Sequence, residues 1–195
     1  MGVCQDRVVI ITGAGGGLGA AHAKVFAAEG AKIIVNDINQ EAAQKVVDDI
    51  KAAGGDAVVN TSDITNYDDS LNAVKQAIDT FGDLHVVLNN AGINRDRMFA
   101  SMTEADWDAI MAVHLKGHFC ITSHAVHYWR GQSKEGKAVD ARIINTTSGA
   151  GLQGSVGQSN YAAAKAGIAA LTLNQAAELA RYGITANAIA PAART

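Results

Sequence analysis

The chain has 195 residues, enough for one domain with a sizeable buried core. Hydrophobic residues make up 48% of it and charged residues 18%, which excludes an intrinsically disordered chain. The formal net charge is −3, and no basic stripe is present, so the sequence argues against nucleic acid as a partner. No apolar run reaches the length of a membrane span, and no membrane partner is expected.

The cysteines and the N-terminus bear on the compartment. Cys4 and Cys120 are far apart among apolar neighbours, a pattern typical of two reduced thiols rather than a disulfide. A core-like segment starts at Arg7, which leaves no room for a signal peptide. Asp6 stands where a myristoylation motif has Ser or Thr. We therefore expect a cytoplasmic protein.

Short β-branched runs alternate with long alanine-rich segments. The predicted strands are Val8–Thr12, Lys32–Asn36, Ala57–Asn60, His85–Asn89, Arg142–Thr146 and Thr185–Ile189. The predicted helices cover residues 17–29, 39–53, 67–81, 104–130 and 160–182, and residues 131–140 are predicted to form a solvated loop. Several strands are apolar on both faces, as buried parallel strands are. The alternation predicts one α/β domain over residues 1–195, a doubly wound parallel sheet with helices on both faces.

A glycine-rich turn follows the first predicted strand and precedes the first helix. It reads Thr12-Gly13-Ala14-Gly15-Gly16-Gly17-Leu18-Gly19. Glycines let the backbone turn sharply and approach a pyrophosphate, and the helix N-terminus offers free N–H groups to the phosphates. Two registers fit, Gly13-x-x-x-Gly17-x-Gly19 and Gly15-x-Gly17-x-x-Ala20. Either predicts a Rossmann-type dinucleotide site.

Asp37 indicates which dinucleotide would bind. It ends the second predicted strand, eighteen residues after Gly19. A carboxylate there accepts hydrogen bonds from the adenosine ribose hydroxyls and repels a 2′-phosphate. The alternative is a helix N-cap, since Asp serves that purpose and Asn39 lies close by. No Arg or Lys follows directly to bind a phosphate, so the sequence favours NAD over NADP.

Three side chains suggest acid–base chemistry. Tyr161 and Lys165 are four residues apart in a helical stretch, so they project from the same face. A nearby ammonium group favours the phenolate and makes tyrosine usable as an acid or base near neutral pH. Ser148 lies just past the fifth strand, and Asn89–Gly92 end the fourth strand at the same edge of the sheet. Together they predict a catalytic site at this edge.

These motifs resemble those of the classical short-chain dehydrogenase/reductase family, over essentially the whole chain. The matching motifs, in order, are Thr12-Gly13-x-x-x-Gly17-x-Gly19, Asp63-Ile64, Asn89-Asn90-Ala91-Gly92, Ser148, Tyr161-x-x-x-Lys165 and Asn187-Ala188-Ile189-Ala190-Pro191. The resemblance selects the first glycine register. It implies an NAD-dependent oxidoreductase that interconverts a secondary alcohol and a ketone, and a homodimer or homotetramer.

The resemblance also implies a role for each matching residue. Tyr161 would be the general acid/base, Lys165 would lower the pKa of the tyrosine and hold the nicotinamide ribose, and Ser148 would bond the substrate oxygen. Asp63 and Ile64 would line the adenine pocket, although Asp63 could instead cap the following segment. The cofactor site as a whole would comprise Gly13, Gly17, Leu18, Gly19, Asp37, Asp63, Ile64, Asn90, Ala91, Gly92, Tyr161, Lys165, Pro191 and Thr195.

His114 departs from the family pattern, which has asparagine as a fourth catalytic residue at this position. Either the proton relay is broken, or the backbone carbonyl of His114 holds the relay water and a histidine can serve. We favour the second interpretation. Val113–Gly117, Gly157–Tyr161 and Ile189–Pro191 are also similar to the dehydrogenase part of peroxisomal multifunctional β-oxidation proteins. That similarity favours 3-hydroxyacyl-CoA substrates.

The helical histidines raise the question of a metal. His114 and His118 are four residues apart, and His124 and His127 are three apart. No carboxylate or cysteine completes a tetrahedral set at the usual spacing, so no metal site is predicted.

The end of the chain also departs from the pattern, because family members continue beyond Thr195 into a substrate-covering segment and a seventh strand. We expect the sequence to be the retained part of a longer protein. Two other functions stay open: a 3-oxoacyl-carrier-protein reductase, and a nucleotide-binding regulatory or scaffold protein with little turnover. Asp37 argues against the first and Ser148, Tyr161 and Lys165 argue against the second.

Overall fold

The computed structural model describes residues 2–192, so the predicted cofactor contact of Thr195 lies outside the described residues. Six parallel strands form one sheet in the order β3-β2-β1-β4-β5-β6. The strands are β1 (Val8–Thr12), β2 (Lys32–Asn36), β3 (Asp56–Asn60), β4 (Val86–Asn89), β5 (Ala141–Thr146) and β6 (Ile184–Ile189). The predicted doubly wound parallel sheet is confirmed.

Helices connect the strands and cover both faces of the sheet. They are α1 (Gly17–Ala28), α2 (Gln40–Ala52), α3 (Tyr67–Phe81), α4 (Glu104–Ile110), α5 (Gly117–Lys134), α6 (Gly149–Gln153) and α7 (Ser159–Leu179). A π-helical segment, Met111–Lys116, joins α4 to α5, and short 3₁₀ turns lie at Phe99–Ser101 and Ala180–Tyr182. No helix within residues 2–192 is long and apolar enough to span a bilayer.

Two predicted boundaries were wrong. The helix expected over residues 104–130 contains the π segment and continues to Lys134, so the loop before β5 is shorter than the predicted 131–140. Polar residues at the end of α5 read as a loop, but they extend the helix into solvent. The structure also adds α6, which is only five residues long and has no apolar periodicity to reveal it.

The core has two layers, one on each face of the sheet, because successive strand residues point in opposite directions. Val9 and Ile11 of β1 pack with α1 and α2, whereas Val8 and Ile10 pack on the opposite face with Ile121 and other apolar residues of α3 and α5. All five residues of β1 are buried. Each fully buried Ile or Val contributes about 1.5–3 kcal/mol, so this central strand fixes the sheet that carries the site.

The strand order reverses between β1 and β4, which are hydrogen-bonded neighbours. The connections from β1 and from β4 therefore leave in opposite directions and open a crevice at the carboxyl ends of these strands. The predicted glycine turn follows β1, and Asn90 follows β4. This switch point is where the candidate site lies.

Candidate active site

The glycine turn uses backbone conformations and close contacts that a side chain would disturb. Gly13 has φ +62° and Gly17 has φ +50°, both in the region that favours glycine. A Cβ on Gly19 would lie 2.1 Å from the carbonyl oxygen of Gly13. At each of the three glycines of the Gly13-x-x-x-Gly17-x-Gly19 register, the structure therefore gives a reason why a larger residue would not fit. The N-terminus of α1 faces the crevice with no acidic residue in its first turn, which suits an anion.

Asn90 links the glycine turn to the fourth strand. Its amide nitrogen Nδ2 donates to the carbonyl oxygens of Thr12 at 3.0 Å and Gly13 at 3.2 Å. The Thr12 hydroxyl oxygen in turn accepts from the backbone N–H groups of Asn90 and Ala91. A Cβ on Gly13 would lie 2.7 Å from Cα of Ala91, so the two segments touch. These bonds hold the turn against β4 at the switch point.

Asp37 lies at the carboxyl end of β2 and faces the glycine turn. Its Oδ2 accepts from the backbone N–H of Gly15 at 2.9 Å, and its Oδ1 accepts from the N–H of Asn39 at 2.9 Å. Asn39, not Asp37, caps α2, because the Asn39 side chain accepts from the N–H of Ala42. Asp37 is half-buried and lines the crevice. The carboxylate is thus oriented by the turn and is not used as a helix cap.

Asp63 and Ile64 lie after β3 and are not among the residues that line the crevice. The Asp63 carboxylate is exposed and accepts from both the backbone N–H and the hydroxyl of Thr65, each at 2.8 Å. Ile64 is buried against α5, where a Cβ on Gly117 would lie 2.8 Å from its Cδ1. Asp63 therefore caps the local turn, and the adenine contacts of both residues stay a prediction.

Tyr161 and Lys165 occupy successive turns of α7 and point to the same place. The Lys165 ammonium lies 5.6 Å from the centroid of the Tyr161 ring. Lys165 is only 2% exposed, and its Nζ donates to the carbonyl oxygen of Thr146 at 2.5 Å. Burial lowers the pKa of Lys165 to about 8. A positive charge held in so dry a place acts strongly on its neighbours.

Ser148 stands at the end of β5 and begins α6. Its hydroxyl oxygen accepts from the backbone N–H of Ala150 at 3.2 Å, so Ser148 is the N-cap of this helix. Helix α6 lies directly on α7, since a Cβ on Gly151 would be 2.7 Å from Cβ of Lys165. Ser148, Tyr161 and Lys165 all line the same crevice. The sequence pattern therefore corresponds to a spatial cluster.

His114 lies in the π segment and borders the same crevice. Its Nε2 lies 2.8 Å from the carbonyl oxygen of Ile93 and 3.1 Å from the backbone nitrogen of Ile93, so it donates to the first or accepts from the second according to its tautomer. The imidazole lies edge-on to the Tyr161 ring, with 5.1 Å between centroids and an interplanar angle of 85°. Burial, followed by the charge of Lys165, lowers the pKa of His114 to about 4, so the ring is neutral near pH 7. π-Helical turns are frequent at functional sites.

Asn160 is a positioning residue that the sequence did not indicate. It is fully buried, and its side chain donates to the carbonyl oxygens of Arg95 and Asp106 while accepting from the N–H of Tyr161 at 2.8 Å. It thereby ties the start of α7 to the loop after β4. In the sequence, Asn160 is only a polar residue directly before Tyr161, and this pattern is too common to indicate a positioning role by itself.

The crevice has a volume of about 420 Å³. The predicted site residues that line it are Gly13, Leu18, Asp37, Asn90, Gly92, His114, Ser148, Tyr161, Lys165 and Pro191. Five further residues line the crevice and were not among the predicted site residues: Gly16, Ile93, Asn94, Thr146 and Thr147. Within residues 2–192, no three His, Cys, Asp or Glu side chains are grouped so as to hold a metal ion.

The fold is one that binds dinucleotides, and its crevice brings together a serine, a tyrosine and a lysine. This combination defines a class of nucleotide-dependent enzymes, and the comparison with known proteins places the chain in the same class. The family model described as short chain dehydrogenase matches residues 7–194. The chain belongs to the short-chain dehydrogenase family.

Several relatives match over nearly the whole chain. Hydroxyacyl-CoA dehydrogenase ChsB1 of Mycobacterium tuberculosis is 49% identical, over 98% of this chain and 62% of its own length. Peroxisomal multifunctional enzyme type 2 of Mus musculus is 44% identical, over 96% of this chain and 25% of its own length. The crystal structure of a short chain dehydrogenase from Mycobacterium avium is 61% identical with a TM-score of 0.97, and the match covers 100% of this chain and 70% of that one. The chain thus spans about three fifths of the first of these relatives and a quarter of the second.

Proposed function

We propose that the protein is an NAD-dependent oxidoreductase that interconverts a secondary alcohol and a ketone on 3-hydroxyacyl-CoA substrates. The observation that carries the proposal is the single crevice in which Ser148, Tyr161 and Lys165 face the glycine turn and Asp37. A relative that is 49% identical is named a hydroxyacyl-CoA dehydrogenase. Its name supports CoA thioesters, rather than acyl-carrier-protein thioesters, as the substrate class.

The residues present fit a nicotinamide dinucleotide. The free N–H groups at the start of α1 suit the pyrophosphate, and Asp37 suits the adenosine ribose hydroxyls. The buried Lys165 ammonium has three donors, one of which goes to Thr146, so it can also bond the nicotinamide ribose. When bound, the nicotinamide ring accepts or supplies the hydride.

The protein's own groups would manage the proton. Tyr161 would take the proton from the alcohol oxygen, or return it to the carbonyl oxygen in the reverse direction. Lys165 places its positive charge 5.6 Å from the centroid of the Tyr161 ring, and Ser148 would donate a hydrogen bond to the substrate oxygen. The neutral His114 ring cannot supply charge near pH 7, so its contribution is to brace the loop at Ile93 and to offer its backbone carbonyl to a relay water.

A substrate and cofactor matrix tests the proposal. Purified protein is assayed with NAD and NADP against 3-hydroxyacyl-CoA esters of several chain lengths, the matching acyl-carrier-protein thioesters and simple secondary alcohols. We expect turnover with NAD and the CoA esters. A preference for NADP with carrier-protein thioesters would identify the reductase instead. Tight NAD binding without turnover on any substrate would identify a regulatory protein.

We also propose a homodimer or homotetramer in a reducing compartment such as the cytoplasm. Phe119 on α5 is 52% exposed, and with Leu171 of α7 and Met111 and Leu115 of the π segment it lines an apolar groove. Apolar side chains grouped in this way mark an interface, and a second copy of the same chain is the occupant expected for this family. Cys4 and Cys120 are unpaired, as a reducing compartment requires. Sedimentation of the protein, with Phe119→Asp as the disrupting variant, tests the assembly.

A further inference from the structure

Two asparagine side chains form a hydrogen-bonded pair at the carboxyl ends of β2 and β3, next to Asp37. Asn36 and Asn60 are register partners in these parallel strands, and they are 2% and 6% exposed. Nδ2 of Asn36 donates to Oδ1 of Asn60 at 2.7 Å and to the carbonyl oxygen of Ser62 at 2.9 Å. Both protons of the Asn36 amide are therefore used inside the fold, where they hold the end of β3 against β2.

The Asn60 side chain is hydrogen-bonded at both its oxygen and its nitrogen. Oδ1 also accepts from the N–H of Ser62 at 3.1 Å, which closes a turn directly after β3. Nδ2 donates to Oε1 of Gln76 at 2.9 Å, and Nε2 of Gln76 donates to the carbonyl oxygen of Val59 at 2.9 Å. A flipped Asn60 amide would set its NH2 group against two donors, so these bonds allow a single orientation.

The backbone of the same two asparagines holds Asp37 and the glycine turn. The carbonyl oxygen of Asn60 accepts from the N–H of Asp37 at 3.1 Å, and that of Asn36 accepts from the N–H of Ala14 at 2.9 Å. Oδ2 of Asp37 accepts from the N–H of Gly15, and a Cβ on Gly15 would lie 2.8 Å from this oxygen. A continuous chain of hydrogen bonds therefore runs from the end of β3 to the Asp37 carboxylate.

We propose that Asn60, with its partner Asn36, positions the Asp37 carboxylate for the adenosine ribose and so sets the preference for NAD over NADP. The proposal rests on the function proposed above and deepens it. A carboxylate held in place accepts from the ribose hydroxyls and repels a 2′-phosphate. Hydrogen bonds weaken steeply as their geometry departs from the preferred one. A loosened Asp37 therefore loses part of its ribose bonds and part of its repulsion of the phosphate.

Asn60→Ala and Asn60→Ser test the proposal in the full chain. Ala removes the side-chain bonds to Asn36 and Ser62, whereas Ser keeps an oxygen that can accept from the Ser62 N–H, more weakly than Asn does. We expect Asn60→Ala to weaken NAD binding about fivefold and NADP binding less than about twofold, as loss of one oriented hydrogen bond would. Asn60→Ser should lie between Asn60→Ala and wild type. Fluorescence titration of each nucleotide without substrate measures the ratio of the two affinities.

Asn145→Ala is the matched control, since Asn145 forms an equivalent pair in β5. It is fully buried, accepts from Nδ2 of Asn89 at 2.9 Å and donates to Thr172 at 2.8 Å. Both Ala variants leave buried amides unbonded, so both should lower the melting temperature. Only Asn60→Ala should change the ratio of NAD to NADP affinity.

A purely structural role for Asn60 predicts a different result. An unchanged ratio in folded Asn60→Ala, or the same change of ratio in Asn145→Ala, would overturn the proposal. If Asn60→Ala does not fold, Asn60→Ser decides by the same criterion, with Asn145→Ser as its control.

Amide hydrogen exchange gives a readout that needs neither nucleotide nor turnover. The N–H of Gly15 is bonded to the Asp37 carboxylate, so its exchange rate reports how firmly the carboxylate is held. We expect NMR to show faster exchange at Gly15 in Asn60→Ala and unchanged exchange in Asn145→Ala. Equal protection of Gly15 in wild type and Asn60→Ala would overturn the inference even if NAD binds. Conversely, a wild type that binds neither nucleotide, although Gly15 loses protection in Asn60→Ala, would count against the proposed function and not against the placement of Asp37.

Discussion

The two halves of the site present different chemical groups to the crevice. The nucleotide half, around the ends of β1 and β2, presents backbone N–H groups and one half-buried carboxylate, Asp37. The catalytic half, around the ends of β4 and β5, presents side chains that the fold removes from water. Among residues 2–192, the buried basic side chains are His114, His118 and Lys165, of which His114 and Lys165 line the catalytic half of the crevice.

This difference separates what stabilises the fold from what serves the reaction. Amide side chains are buried in both halves and are hydrogen-bonded in pairs, as Asn36 is with Asn60 and Asn89 with Asn145. Such neutral pairs cost little. A buried ammonium or imidazole is disfavoured in its charged form, as the lowered pKa values of Lys165 and His114 record. The catalytic half is therefore a place where stability is given up for chemistry.

The largest expected effect is on the rate, from removal of the reactive hydroxyl. Tyr161→Phe should lower kcat about 10³-fold, because it deletes the general acid/base and little else. The ring packing against His114 would be kept, so the melting temperature should change little. Steady-state kinetics with NAD titrations measure both quantities. A rate within threefold of wild type would show that Tyr161 is not the acid/base.

Lys165→Met should raise the stability of the fold and abolish activity. The pKa of Lys165 falls from 10.5 to about 8 on burial, which corresponds to about 3 kcal/mol of cost for the charged form at pH 7. Met removes the charge, so the free energy of unfolding should rise by up to about 3 kcal/mol while activity is lost.

The size of that stabilisation depends on pH, and this dependence can be measured. The folded pKa of Lys165 lies below the unfolded one, so the wild type gains stability as pH rises from about 8 towards 10.5. The Met variant lacks this gain, and the two unfolding curves should converge at high pH. Denaturant melts from pH 7 to 10 measure it. A Met variant less stable than wild type at pH 7 would mean that packing, not charge, dominates.

A smaller effect on the free energy of unfolding is expected when the pH is lowered. The folded pKa of His114 is about 4, against 6.5 for an unperturbed histidine, so the unfolded chain binds more protons between these pH values. Stability should therefore be lost as pH falls below 6.5, by about 2 kcal/mol at pH 5 from His114 alone. Denaturant melts of wild type and His114→Asn should differ in this slope. His127→Asn is the control, because His127 is exposed and should leave the slope unchanged.

The smallest effect concerns the nucleotide half. Asp37→Asn should weaken NAD binding about 10-fold, since one charged acceptor is lost, and should narrow the preference for NAD over NADP. Asp56→Asn is the control, because Asp56 begins β3 at the opposite end of the sheet. Titration of both nucleotides by fluorescence measures the ratio. An unchanged NAD to NADP ratio would mean that Asp37 does not face the adenosine ribose.

The sequence by itself determined the alternation of strands and helices, the glycine turn and the Ser148–Tyr161–Lys165 pattern, because these are local signals. Each of these signals depends on residues that are close together in the chain: the alternation of apolar segments, the glycines with positive φ, and the helix periodicity. The Asp37 side chain could be placed at the end of β2 for the same reason. Its use as an oriented acceptor and not a helix cap became clear only from its bonds to Gly15 and Asn39.

Tertiary structure decided what depends on residues that are distant in the chain. The burial of Lys165 follows from packing between β5 and α6, and no local pattern records how dry that place is. The π segment at His114 and the pairing of its ring with Ile93 likewise join positions about twenty residues apart. Desolvation is a property of the assembled core, so the pKa values that set the chemistry were not readable from the sequence.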